Sequence, residues 1–108
     1  MPTHQELDQR SLALHQLVAE KVRQDQSLLL KAQAVLNHWH QTASPRTFVY
    51  LDAWQNLLDQ GLDACLAGAT EASERGDALR QASPLACLLT SRERFAFLKQ
   101  WKAARAPQ

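Results

Sequence analysis

Leu28-Leu29-Leu30-Lys31-Ala32-Gln33-Ala34-Val35-Leu36-Asn37-His38-Trp39 is the stretch that decides the fold. Its apolar residues Leu28, Leu29, Ala32, Val35, Leu36 and Trp39 recur at steps of three and four, which gathers them on one side of an α-helix, whereas a half-buried strand requires alternation. Asp25 precedes the run, and an Asp suits an N-cap because its carboxylate accepts from the free amides of the next turn. The spacing therefore predicts a helix over 26–41. Before Asp25, Leu7, Leu14, Val18 and Val22 stack at helical spacing and Leu17 widens the stripe, predicting a helix over 6–24. So short a junction makes the pair an antiparallel hairpin, with a single bent helix as the alternative.

Thr42-Ala43-Ser44-Pro45-Arg46 closes this pair, since Pro45 disfavours helix at Ser44 and suits the first turn of the next element. A third helix carries Tyr50, Leu51, Trp54, Leu57 and Leu58. Gly61 interrupts it while Leu62, Cys65, Leu66 and Ala69 keep the register, so the expectation is a kink or a short separate helix over 62–69. A short segment from Ser73 to Gln81 is expected to bury Leu79 and Ala82 and to stop before Ser83-Pro84. Thr90-Ser91-Arg92-Glu93 matches a capping box, in which hydroxyl and carboxylate satisfy each other's orphan amides. A final helix should follow to about Ala104, with Phe95, Phe97, Leu98 and Trp101 on a broad apolar side.

Composition supports the same class. Ala, Leu, Gln, Arg, Glu and Lys fill 64 of the 108 positions, against 4 Val, 5 Thr and no Ile. Unbranched side chains lose little rotamer freedom in a helix, while strands favour β-branched and aromatic residues. The fold expected is all-α: a compact bundle of five or six helices with an N-terminal helical hairpin, forming a single domain over 1–108. At 45% hydrophobic residues the chain has too much apolar content for a disordered tail. No apolar run approaches the ~18 residues that span a bilayer, and Met1-Pro2-Thr3-His4-Gln5-Glu6-Leu7-Asp8 lacks the basic flank and apolar stretch of a signal peptide. The expectation is a soluble protein of the cytoplasm without membrane association.

The formal net charge of +1, from 12 Lys+Arg and 11 Asp+Glu, conceals a gradient. Residues 1–44 are neutral. Residues 45–83 hold Asp52, Asp59, Asp63, Glu71, Glu74 and Asp77 against three basic groups, a net of −3. Residues 84–108 hold Arg92, Arg94, Lys99, Lys102 and Arg105 against Glu93 alone, a net of +4. Three readings compete: a basic last helix packed beside the acidic middle with solvated charges, a surface that steers a complementary protein, or a nucleic-acid contact. At about 100° per residue, Phe97, Leu98 and Trp101 cluster with Arg94 and Arg105, while Arg92, Lys99 and Lys102 turn toward water. Arg92, Arg94, Lys99, Trp101, Lys102 and Arg105 are therefore the candidate partner-binding residues, because Arg and aromatic residues together are enriched in interface anchors. Arg stems lying along the core edge are the structural alternative for Arg94 and Arg105.

Catalytic and metal chemistry find little support. His38 and His40 point roughly 200° apart on a helix, whereas two ligands on one face need a spacing of three or four. Cys65 and Cys87 sit among leucines outside any Cys-x-x-Cys, as inert buried thiols of a reducing compartment do. Gly61, Gly68 and Gly76 form no phosphate-binding loop. Asp52, Asp59 and Asp63 share a face without forming an acid/base pair. Trp39, Trp54 and Trp101 fall on the apolar stripes of three helices and are expected to meet in the core. The expectation is a non-enzyme with no catalytic residue, no metal and no cofactor.

Leu89-Thr90-Ser91-Arg92-Glu93-Arg94 resembles the opening of the DNA-binding unit in LuxR-type regulators, but with only fifteen residues after Glu93 it is read as a shared capping box. A broader pattern runs through Leu12-x-Leu14-His15-x-Leu17-x-Ala19-Glu20-Lys21, Tyr50-Leu51-x-x-Trp54-x-x-Leu57-Leu58-Asp59 and Ser73-Glu74-Arg75-x-x-x-Leu79-Arg80-Gln81-x-Ser83-Pro84. It is similar to small bacterial helical proteins of the antitoxin type. That resemblance implies a non-catalytic module that binds and neutralises a partner protein, a toxin, through the acidic centre, the basic last helix or both. Nucleic-acid binding by the basic helix is the alternative, and homo-oligomerisation stays open.

Overall fold

Side-chain caps open three of the six α-helices in the computed structural model, which describes residues 3–105; Met1, Pro2 and residues 106–108, the ends of the expected domain, lie outside these. The chain is all-α. Thr3 opens α1 (His4–Gln24) with a capping box, its hydroxyl accepting from the Glu6 amide at 3.1 Å while the Glu6 carboxylate accepts from the Thr3 amide at 3.3 Å. Asp25 ends α1, and its carboxylate takes the Ser27 amide (3.2 Å) and hydroxyl (2.5 Å). That turn delays α2 (Leu28–Thr42), so Asp25 caps the connection instead of the helix. A single 3₁₀ turn, Pro45–Thr47, leads into α3 (Phe48–Gln60).

Gly61 then adopts φ 114°, a backbone region closed to residues with a Cβ, and α4 (Leu62–Ala69) starts afresh beyond it. Of the two outcomes expected at Gly61, the separate helix is the one found. Next come α5 (Glu74–Arg80), a 3₁₀ segment over Pro84–Leu88, and α6 (Ser91–Ala104), which begins at the expected Thr90–Glu93 capping box.

The core forms where α1, α2, α3 and α4 present Val18, Val22, Ala32, Leu36, Leu51, Trp54, Cys65 and Leu66, all essentially inaccessible. Trp54 also donates its indole N–H to the Leu79 carbonyl at 2.9 Å, which ties α3 to α5. Residue pattern alone assigns no role to 84–89, yet Pro84, Leu85, Leu88 and Leu89 are all buried. This segment packs against both α1 and α2, so the N-terminal helical pair is wedged by residues far along the chain as well as joined at its turn. An apolar run too short for helical periodicity can still be central when its neighbours supply the hydrogen bonds: here the Ser83 hydroxyl accepts from the Leu85 amide at 3.1 Å.

A second unforeseen feature is Arg80, which is buried at 4% exposure. Its guanidinium donates to the carbonyls of Ala69 (3.1 Å) and Glu71 (2.7 Å) and to the Asp77 carboxylate (2.7 Å). A buried charge persists only when paired and hydrogen-bonded, and this clasp fastens the α4–α5 connection. Gly76 lies under it, so close that a Cβ there would come within 2.1 Å of the Glu71 carbonyl oxygen.

Several burial expectations are corrected. Cys87 is exposed because it sits on the outer side of the 3₁₀ segment, although Cys65 is buried as expected. Ala82 is only half-buried. Of the three tryptophans expected to meet in the core, Trp54 is fully enclosed, whereas Trp39 is half-buried at its edge. Trp101 is half-buried away from the core cluster, on a helix that contributes no buried residue.

Candidate functional site

α6 is the element around which the candidate site is built. It rests against α1 through a few specific contacts and not through a buried face. At its start, Lys21 of α1 donates to the Glu93 carboxylate at 2.5 Å and to the Leu88 carbonyl at 2.9 Å. The same Glu93 oxygen closes the capping box by accepting from the Thr90 amide at 2.8 Å. The Lys21 ammonium, followed by the Thr90 amide, lowers the Glu93 pKa to about 2. Midway, Arg94 donates to the Ala86 carbonyl at 2.7 Å, and Phe97 packs on the core. At the far end Arg105 donates to Gln9 at 2.6 Å. Lys21 to Gln9 and Glu93 to Arg105 are equal spans, each about 18 Å of helix at 1.5 Å per residue, so the helices lie antiparallel.

Two faces of α6 now separate. Arg94, Phe97, Trp101 and Arg105, at helical steps of three and four, turn toward the body. There the Arg105 guanidinium lies 4.4 Å from the Trp101 ring centre and Phe97 stacks on the same ring at 6.1 Å. Trp101 is thus covered by side chains of its own helix region in place of the core. Arg92, Phe95, Lys99 and Lys102, again at such steps, turn outward. Phe95 is 69% exposed, and with Leu98, Lys99 and Lys102 it lines a shallow groove.

The six sequence-predicted residues therefore divide: Arg92, Lys99 and Lys102 stand on the outer face, while Arg94, Trp101 and Arg105 fasten the helix. Phe95, expected on the buried side, instead centres the outer face. Its signal is present in the sequence, because Phe95 and Phe97 lie roughly 200° apart on a helix. The outer face has an apolar middle bordered by cations. Among the described residues, no carboxylate forms an ion pair with Arg92, Arg94, Lys99, Lys102 or Arg105.

The expected pairing of the last helix with the acidic middle is not what the structure shows. Four of those acids have partners elsewhere: Asp52 with His40 at 3.0 Å, Asp59 with Gln55 at 2.9 Å, Asp63 with Arg23 of α1 at 3.9 Å and Asp77 with Arg80 at 2.7 Å. His40 also approaches the Leu36 carbonyl at 3.0 Å and packs against Phe48. Among the described residues no three His, Cys, Asp or Glu side chains are gathered as a metal would require, and no helix is long and apolar enough to cross a membrane.

Comparison with protein-family models, with curated proteins and with solved structures finds no match.

Proposed function

We propose that this chain is a non-catalytic protein-binding module that engages an acidic partner surface through the outer face of α6. The observation that carries this reading is the exposed Phe95, with Leu98 beside it, on a helix whose one carboxylate is engaged in docking to Lys21 while its cations form no ion pair among the described residues. Interfaces take their energy from a few apolar anchors that water is driven from, and a border of one charge sign selects the partner and speeds encounter. The antitoxin-type resemblance makes a toxin-like product of a neighbouring reading frame the first partner to test.

The test is co-purification followed by titration with Phe95→Ala. Leaving 69% of a roughly 200 Å² ring exposed means about 140 Å² to bury, or at most about 3.5 kcal/mol at ~25 cal/mol per Å². The dissociation constant should accordingly rise by about 100-fold or more, with thermal stability unchanged. Unaltered affinity in Phe95→Ala overturns the assignment of the face. Binding of nucleic acid with steep salt dependence, unaffected by Phe95→Ala, favours a polyanion contact instead.

A further inference from the structure

A partly open pocket of about 240 Å³ lies between α1, the end of α5, the Pro84–Leu88 segment and α6. We propose that it is a binding site for a small organic anion, a carboxylate or phosphate head on a short apolar body. Three arginines, Arg10, Arg80 and Arg94, line it, and no Asp or Glu does. Arg80 is neutralised by Asp77. The other two are not: half-buried Arg10 has neither a hydrogen bond nor an ion pair among the described residues, and Arg94, exposed at the pocket rim, reaches only the uncharged Ala86 carbonyl. Two uncompensated cations held on facing helices repel one another, and an anion between them turns that repulsion into a clamp.

The surroundings of the pocket point the same way. His15, also in the wall, is 1% exposed. Its Nδ1–H donates to the Ser11 carbonyl at 2.7 Å, and its Nε2 shares a hydrogen bond of 2.8 Å with the Ser83 hydroxyl. Burial first, and then the Arg80 and Arg94 charges, hold its pKa below the ordinary value, which registers the positive field at this spot. Leu7, Leu14 and Leu98, the last shared with the edge of the outer groove, complete the wall and supply the apolar contact. The arrangement follows from helical spacing, since Leu7, Arg10 and Leu14 share one face of α1 as Arg94 and Leu98 share one of α6.

The test is titration of the full chain with hexanoate and hexyl phosphate, followed by calorimetry and by amide chemical shifts, against acetate, inorganic phosphate and hexylamine at matched ionic strength. The expected result is saturable binding of the two hexyl anions, at least tenfold tighter than acetate or inorganic phosphate, with no binding of hexylamine. Arg10→Gln removes a side chain that makes no bond in the fold, so it should melt as the parent does while losing at least tenfold in affinity; Arg94→Gln should lose affinity as well. Lys102→Gln, on the outer face, should leave anion binding unchanged, which separates this site from the partner surface. Absence of saturable binding, full affinity in Arg10→Gln, or an equal loss in Lys102→Gln overturns the proposal.

Discussion

Gly76→Ala sets two physical effects of opposite sign against each other. Gly76 lies inside α5, and in a helix interior Ala is favoured over Gly by about 1 kcal/mol, so propensity alone predicts a more stable protein. The geometry predicts the reverse, because the added Cβ would stand 2.1 Å from the Glu71 carbonyl oxygen and 3.0 Å from Arg80 Nη1. A backbone carbonyl cannot rotate aside as a side chain can. The Glu71 segment must move, and with it goes the 2.7 Å bond from Arg80. Overpacking costs about 1–3 kcal/mol, and losing a hydrogen bond to a charged group costs about 1.5–3 kcal/mol. Set against the gain in propensity, the net is a destabilisation of about 3 kcal/mol. At about 4–8 °C per kcal/mol for a domain near this size, the midpoint should fall by about 15 °C. Thermal melting followed by circular dichroism measures the shift, and urea titration measures the free energy. Gly68→Ala is the control: its Cβ would meet only the mobile end of the Leu57 side chain at 2.6 Å, so its effect should be small. A Gly76→Ala protein as stable as the parent, or more so, would refute the account of the Arg80 clasp.

Two further outcomes are expected from the same structure. His15 is held neutral with a pKa below its ordinary 6.5, so its contribution is complete above that value and is lost as pH falls below it; the slope for one such group is at most about 1.4 kcal/mol per pH unit. Glu93, lowered from 4.5 to about 2, contributes fully above its ordinary value and fades as pH drops toward 2. Acid should therefore weaken the fold in two stages, and urea titrations at pH 7.5 and 5.5 that coincide would contradict the first. Cysteine labelling with iodoacetamide at mildly alkaline pH should modify exposed Cys87 first, while Cys65, buried with its thiol pushed up to about 11, reacts only on unfolding. Equal rates for the two thiols would show that the Cys65 site is open.

What can be read from the residues is whatever rests on local periodicity. The Leu28–Trp39 stripe, the Gly61 interruption and the Thr90–Glu93 box each depend on neighbours within a few positions, and each gives its element. Arg80 escapes such a reading because its acceptors include the carbonyls of Ala69 and Glu71, and a backbone acceptor has no signature in residue type. The pairing of His15 with Ser83 is likewise hidden by the 68 positions between them. At the candidate site the basic residues are legible as a set, but their division into inner and outer faces requires knowing that α6 meets α1 and not the acidic centre. Phe95 is misplaced by any reading that turns an apolar stripe inward as a whole.

The wedge at Pro84–Leu88 also bears on how the chain reaches its native state. Loops must close over long sequence separations before such contacts stabilise anything, which raises contact order above that of a simple run of neighbouring helices. Because α1 and α2 each lean on this segment, the first half of the chain cannot consolidate its packing while the second half is still being synthesised. Residues 84–88 therefore act as a keystone: a truncation ahead of Pro84 should leave α1 and α2 without the surface on which both pack.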